Sequence, residues 1–151
     1  MTSVDRPGSG GVLPLFVYGT LRPGEANHRL FLRGRTAAEE PARLPGAVLY
    51  EGPGYPYAVE RAGSVVAGEL ITPAADAYAE LLGALDLLEE YVGPGSPRNL
   101  YDRVAREALR PDGTRVLAWV YLAAAPLALR LARSGTEIRS GDWLERRRSS
   151  E

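Results

Sequence analysis

The stretch TPAADAYAELLGALDLLEEYV, residues 72–92, carries the strongest helix signal in the chain. Thr72 reads as the N-cap, Pro73 as the first helical residue, and Gly93-Pro94 as the stop beyond Val92. The surroundings follow another period. Upstream lie short apolar runs, Leu13 to Tyr18, Ala47 to Tyr50, Tyr57 to Glu60 and Val65 to Thr72, separated by turn-rich residues at Glu51 to Pro56 and at Ala62-Gly63. Downstream, Tyr101 to Leu109 and Thr114 to Leu122 flank Pro111-Asp112-Gly113, a hairpin signal. Asn27 to Leu32, closed by Gly34, and Pro126 to Arg133 predict short helices before the closing Gly141-Asp142-Trp143-Leu144. One principal helix among mostly antiparallel strands specifies an α+β fold.

The chain has 151 residues, 45% of them hydrophobic and 25% charged, which suits one core rather than two. The expected organisation is a flexible leader over 1–11 with its PGSGG run, a single domain over 12–145, and a basic tail over 146–151 around Arg146-Arg147-Arg148. A formal net charge of -1 provides no global field for nucleic acid or an anionic membrane. All 18 basic residues are arginine, so Schiff-base chemistry is excluded. Zero cysteines exclude thiol nucleophiles and thiolate metal sites, and the single His28 excludes a multi-histidine centre. His28 also lacks the Gly-x-Ser-x-Gly elbow that a serine hydrolase needs. No signal-like leader and no apolar run of spanning length precede the first strand, and a cytoplasmic protein is expected.

Two places stand out chemically. Along 72–92, Tyr78, Leu82, Leu85, Glu89 and Val92 recur at steps of four and three and share one helix face. Glu89 falls inside that stripe, near Leu81 and Leu88, whereas Glu90 lies over Asp86, Gly83 and Ala79, and both Asp86 and Glu90 read as surface residues. A carboxyl in an apolar seam at a helix C-terminus has its pKa raised by lost hydration and by the helix dipole, which suits a general base near neutral pH. Periodicity alone also fits a Glu89 frayed outward and solvated. The second place is Tyr18-Gly19-Thr20-Leu21-Arg22-Pro23-Gly24, where a buried strand turns and successive N–H groups can converge on an anion. Arg22 would add charge from the rim, although a plain glycine turn fits as well. The spacing is not that of a P-loop.

Val17-Tyr18-Gly19-Thr20-Leu21-Arg22-Pro23-Gly24 together with Leu85-Asp86-Leu87-Leu88-Glu89 resembles the gamma-glutamylcyclotransferase-like proteins, the AIG2-like group that includes gamma-glutamylamine cyclotransferases. Asn27-His28, Tyr55-Pro56-Tyr57, Val66 to Leu70 and Tyr101-Asp102-Arg103 extend the likeness over most of Leu13 to Leu122. The resemblance implies a small mixed β-barrel with flanking helices, a substrate-binding loop at Tyr18, Gly19, Thr20 and Leu21, and a catalytic general acid/base at Glu89. Family members commonly have glycine after that glutamate, where this chain has Glu90. Tyr101 resembles a tyrosine near the family pocket and fits equally as a packing residue at a strand start. The implied reaction is attack of a γ-glutamyl α-amine on its own γ-carbonyl, releasing 5-oxoproline and an amine, with no metal or cofactor. The expected partner is a small γ-glutamyl molecule, not nucleic acid or membrane. A binding module on the same fold, without turnover, is the alternative.

Overall fold

The computed structural model describes residues 12–145, so the leader and the basic tail lie outside the described residues. The strands are β1 (Leu15–Val17), β2 (Thr36–Tyr50), β3 (Tyr57–Pro73), β4 (Tyr101–Leu109) and β5 (Arg115–Ala123). The helices are α1 (Tyr78–Leu88) and α2 (Ala125–Ser134). The strands close a barrel in the order β1-β3-β2-β4-β5. Neighbours run antiparallel except at the closure, where Leu15 of β1 lies parallel to Trp119 of β5 and the Trp119 N–H donates to the Pro14 carbonyl at 2.8 Å. The closure is narrow, with β1 and β5 paired only at Leu15–Trp119 and β2 and β4 only at Arg43–Leu109.

Side-chain parity along the strands divides the core in two. Leu15, Val17, Val48, Ile71, Tyr121 and Ala123 cluster with Leu81 and Leu85 of α1 and with Leu127 and Leu131 of α2. Phe16, Tyr18, Ala47, Leu49, Leu70, Val120 and Leu122, the residues between them, form a separate cluster. A closed sheet has only an outside and an inside, and the helices cover the first set, so the second fills the barrel. Burial on both faces explains why Leu13 to Tyr18 reads as a continuous apolar run instead of an alternating one.

The strand pattern differs from the sequence reading at two points. β2 starts well before Ala47, through Thr36-Ala37-Ala38-Glu39-Glu40-Pro41, a polar stretch with no strand period. It is held by pairing along β3, with Glu40 opposite Leu70 and Glu39 opposite Ile71. The two runs split at Ala62-Gly63 are one strand, β3, and the predicted break survives as a register shift opposite Pro45/Ala47. The predicted hairpin turn forms, with Gly113 at φ 91° and the Asp112 carboxylate accepting from the Thr114 N–H and hydroxyl.

The principal helix is shorter than the sequence predicts. Thr72 and Pro73 remain in β3, paired with Ala38 and Thr36, and a single 3-10 turn, Ala75–Ala77, leads into α1 at Tyr78. At the other end the helix stops at Leu88. Glu90 takes a left-handed conformation (φ 55°), its N–H donates to the Leu87 carbonyl at 3.2 Å, and the Tyr91 N–H donates to the Asp86 carbonyl at 2.9 Å. These are the two bonds of a Schellman closure. Val92, expected on the apolar face, is exposed and donates its N–H to the Asn99 side chain. Residues His28–Leu32 form one π-helical turn, and the Asn27 side chain, expected as its cap, donates instead to the Thr20 hydroxyl at 2.8 Å. No helix among the described residues is long and apolar enough to cross a membrane.

Candidate active site

A cavity of about 260 Å³ opens where the end of β1, the loop before β3, the start of β4 and the C-terminal end of α1 meet. Tyr18, Gly19, Thr20, Leu21, Glu89 and Tyr101 all line it, together with Asn27, Tyr55, Glu90 and Tyr121, which the sequence did not mark as site residues.

The loop after β1 is tied from behind. The Thr20 carbonyl accepts the N–H groups of Asn27 and His28 at 3.1 and 3.2 Å, and its hydroxyl accepts the Asn27 amide. The Gly19 carbonyl accepts the Arg22 N–H. The N–H groups of Gly19, Thr20 and Leu21 find no acceptor among the described residues, leaving three successive backbone donors on residues that line the cavity. Glycine lets position 19 lie close to Pro56, since a Cβ there would sit 2.8 Å from Cδ of Pro56 and force a shift.

Arg22 is not at the rim. It is buried, its Nε and Nη2 donating to Glu69 at 2.7 and 3.1 Å and its Nη1 to Asp142 at 2.8 Å. Paired with two carboxylates, it fastens the loop to β3 and to the C-terminal segment, and it does not line the cavity. His28 is likewise buried, its Nε2 2.7 Å from a Glu39 carboxylate oxygen.

The rest of the lining is acidic and aromatic. Glu89 is the residue that follows α1, with φ -89° and ψ 5°, and its N–H still donates to the Leu85 carbonyl. Its carboxyl makes no hydrogen bond or ion pair among the described residues, and burial raises its pKa from 4.5 to about 7. The tyrosines around it remain neutral. Burial, reinforced by the Glu89 charge, raises the pKa of Tyr18, Tyr101 and Tyr121 well above the usual phenol value, and burial pushes Tyr57 up to about 12. Their hydroxyls are committed to structure. Tyr18 donates to the Tyr121 carbonyl at 2.5 Å and Tyr101 to the Pro56 carbonyl at 3.0 Å, while the rings of Tyr55, Tyr57 and Tyr101 pack in sequence at 5.6 Å between centroids.

Asp86 is not a free surface residue. It accepts a forked pair from Arg103 (Nε 2.8 Å, Nη2 3.2 Å) and the Tyr121 hydroxyl at 2.7 Å. The Arg103 guanidinium lies 4.4 Å from the Trp119 ring centroid and 5.2 Å from that of Tyr91. This brace fixes the end of α1 on β4 and β5, one turn before Glu89. Its sequence signal was the three-residue spacing to Glu89, which puts Asp86 on the turn beneath it. Glu90, also expected at the surface, is exposed but lines the cavity mouth.

Together these parts present backbone donors on one wall and an uncommitted carboxyl of near-neutral pKa on the other. Among the described residues there is no group of three or more potential metal ligands.

A family model described as gamma-glutamyl cyclotransferase, AIG2-like, matches residues 15–145. The chain is 40% identical over 108 residues to the gamma-L-glutamyl-butirosin B gamma-glutamyl cyclotransferase of Niallia circulans. That match covers 72% of this chain and 65% of the relative, just under two thirds of its length. Among solved structures, YkqA from Bacillus subtilis is similar at 27% identity and a TM-score of 0.63, over 91% of this chain and 42% of that one. An AIG2-like protein from Mus musculus is similar at 25% identity and a TM-score of 0.56, over 78% and 82% of the two chains. The closed barrel with few helices is the fold of these neighbours.

Proposed function

The chain belongs to the gamma-glutamyl cyclotransferase, AIG2-like family, and from that premise we propose that it cyclises γ-glutamyl compounds to 5-oxoproline, with Glu89 as general acid/base. The observation that carries the reading is the Glu89 carboxyl, uncommitted and of near-neutral pKa, in a cavity shared with the N–H groups of Gly19, Thr20 and Leu21. The relative named for acting on γ-L-glutamyl-butirosin B supports the same reaction type.

A γ-glutamyl substrate holds its own nucleophile, so the α-amine and the γ-carbonyl need only be brought together, and positioning supplies much of the rate. The loop amides hold the glutamyl end, either its α-carboxylate or the oxyanion of the tetrahedral intermediate. The α-ammonium, with a pKa near 8 by analogy with chain termini, gives up two protons as it becomes a lactam N–H. The released nitrogen leaves as an ammonium and takes both, so protons and charge balance without water or any co-reactant. Glu89 relays them, as base toward the α-nitrogen and as acid toward the leaving nitrogen. Tyr18 and Tyr101, whose hydroxyls are held by carbonyls, shape the cavity. The reading takes a small molecule as ligand, gives no role to nucleic acid, membrane, metal or cofactor, and goes with a cytoplasmic location.

The test is mass-spectrometric detection of 5-oxoproline from a panel of γ-glutamyl peptides and amines. Release by wild type, reduced roughly 100-fold to 10,000-fold in Glu89→Gln with its fold intact, is the expected result. Equal turnover by the two proteins would end the assignment of Glu89. Ligand-induced thermal shifts without turnover of any substrate would favour the binding module instead.

A further inference from the structure

With the cyclotransferase reading as its basis, we infer that Glu90 selects the charge of the leaving group: the site favours γ-glutamyl amines whose released amine carries a second positive charge and disfavours those whose released amine carries a carboxylate. Three observations lead there. First, among the residues lining the cavity the charged side chains are Glu89 and Glu90; no arginine and no histidine lines it. Glu89 is committed to proton transfer in this reading, which leaves Glu90 as the fixed charge that a bound leaving group meets. Second, the Glu90 side chain makes no hydrogen bond or ion pair among the described residues, so its carboxylate is available to a ligand. Third, Glu90 stands immediately after Glu89 and is exposed, whereas Gly19 and Leu21, which carry the loop amides, are buried residues of the same cavity. A substrate whose glutamyl end is held by that loop, with its scissile amide at Glu89, directs its leaving group toward Glu90.

The position itself is unusual. Among the described residues every other left-handed backbone position is a glycine, and Glu90 is the exception. Left-handed backbone costs a side-chain-bearing residue stability that glycine would recover, so the carboxylate is present at a place where local structure favours its absence. No lining residue offers a counter-charge to an anionic leaving group; Arg130, whose charge reaches Tyr57 as that of Glu90 does, is not among them. A cationic one is attracted to the Glu90 carboxylate, with the solvent screening of an exposed charge at the cavity mouth.

The test uses three substrates of similar length and differing terminal charge: γ-glutamyl-1,5-diaminopentane, γ-glutamyl-hexylamine and γ-glutamyl-6-aminohexanoate. For the wild-type chain at low salt, kcat/KM is expected to be on the order of tenfold higher for the cationic than for the anionic substrate, narrowing as salt is added. Glu90→Gln should bring that ratio to within about threefold. Glu90→Gly, which suits the left-handed backbone, should do the same and guards against a folding artefact. A cation-to-anion ratio unchanged in both variants overturns the inference and leaves the cyclotransferase reading standing. Absence of 5-oxoproline from all three substrates, with the protein folded, overturns both.

Discussion

The two walls of the cavity solve opposite problems. On the loop side, Tyr18 to Gly24, the side chains are occupied: Thr20 with Asn27, Arg22 with Glu69 and Asp142, Tyr18 with the Tyr121 carbonyl. What stays uncommitted there is backbone, the N–H groups of Gly19, Thr20 and Leu21. At the end of α1 the backbone is occupied, closed by the Leu85, Leu87 and Asp86 carbonyls, and the side chains of Glu89 and Glu90 are uncommitted. One wall therefore offers donors fixed by shape, and the other offers acceptors fixed by helix termination. Side-chain substitutions on the loop act through conformation, whereas those at the helix end act on charge directly.

The largest effect expected from that contrast is Glu89→Gln, which removes the titrating group and leaves the helix end intact. Besides losing activity, the variant changes how stability depends on pH. Burial raises the folded pKa of Glu89 above its ordinary 4.5, so the folded state holds the extra proton. The stability linked to it is fully present below about pH 4.5 and is lost as pH rises through about 7, up to about 3 kcal/mol for a shift of this size. Denaturant unfolding at pH 5 and pH 8 should therefore show wild type losing stability that Glu89→Gln retains; parallel pH profiles would refute a buried, raised Glu89. In kcat/KM, an acidic limb near pH 7 should belong to Glu89 and vanish from any residual activity of the variant.

Next in size is Gly19→Ala, the conformational counterpart. Its Cβ would press on the Pro56 ring, and the Pro56 carbonyl in turn holds the Tyr101 hydroxyl. The loop must shift to accommodate it. A rise in KM of roughly tenfold or more is expected, with a Tm loss of only a few degrees. A normal KM would show that the loop amides do not hold the substrate.

Much of this arrangement was legible in the sequence, and the failures have a common cause. Glu89 betrayed itself because a carboxylate interrupts an apolar period, and the loop because a buried strand must end in Gly-Thr. The α+β class followed from local patterns that agree with their neighbours. Arg22 and Asp86 were misread because their roles depend on partners 47 and 17 residues away, Glu69 and Arg103. No periodicity encodes such pairing. The early half of β2 was missed because its strand state is imposed by β3 and not by its own residues. The end of the helix was overrun because Glu90 occupies a position where glycine would have announced the stop.

A smaller effect should come from Asp86→Asn, which weakens the brace without touching the cavity's carboxyls. Arg103 and Asp86 are 16% and 21% exposed, so the pair is partly desolvated and breaking it costs less than for a fully buried one. About 2 kcal/mol of stability is expected to go, measured by urea unfolding. Because the brace holds the turn that carries Glu89, kcat should fall about tenfold with little change in KM. A fall in stability with kcat unchanged would make the brace purely structural.

Glu90→Gly should produce the smallest effect, and in the opposite direction. Relief of the left-handed backbone returns about 1–2 kcal/mol. Glycine's greater freedom in the unfolded chain takes back about 0.5–1 kcal/mol. Removing a negative charge from the C-terminal end of α1 adds a few tenths more. The net is a gain of roughly 1 kcal/mol, or about 2–4 °C in Tm for a domain of this size. A scanning calorimetry trace with unchanged or lower Tm would mean that the Glu90 side chain contributes folding energy of its own, so that its left-handed position needs no functional reason.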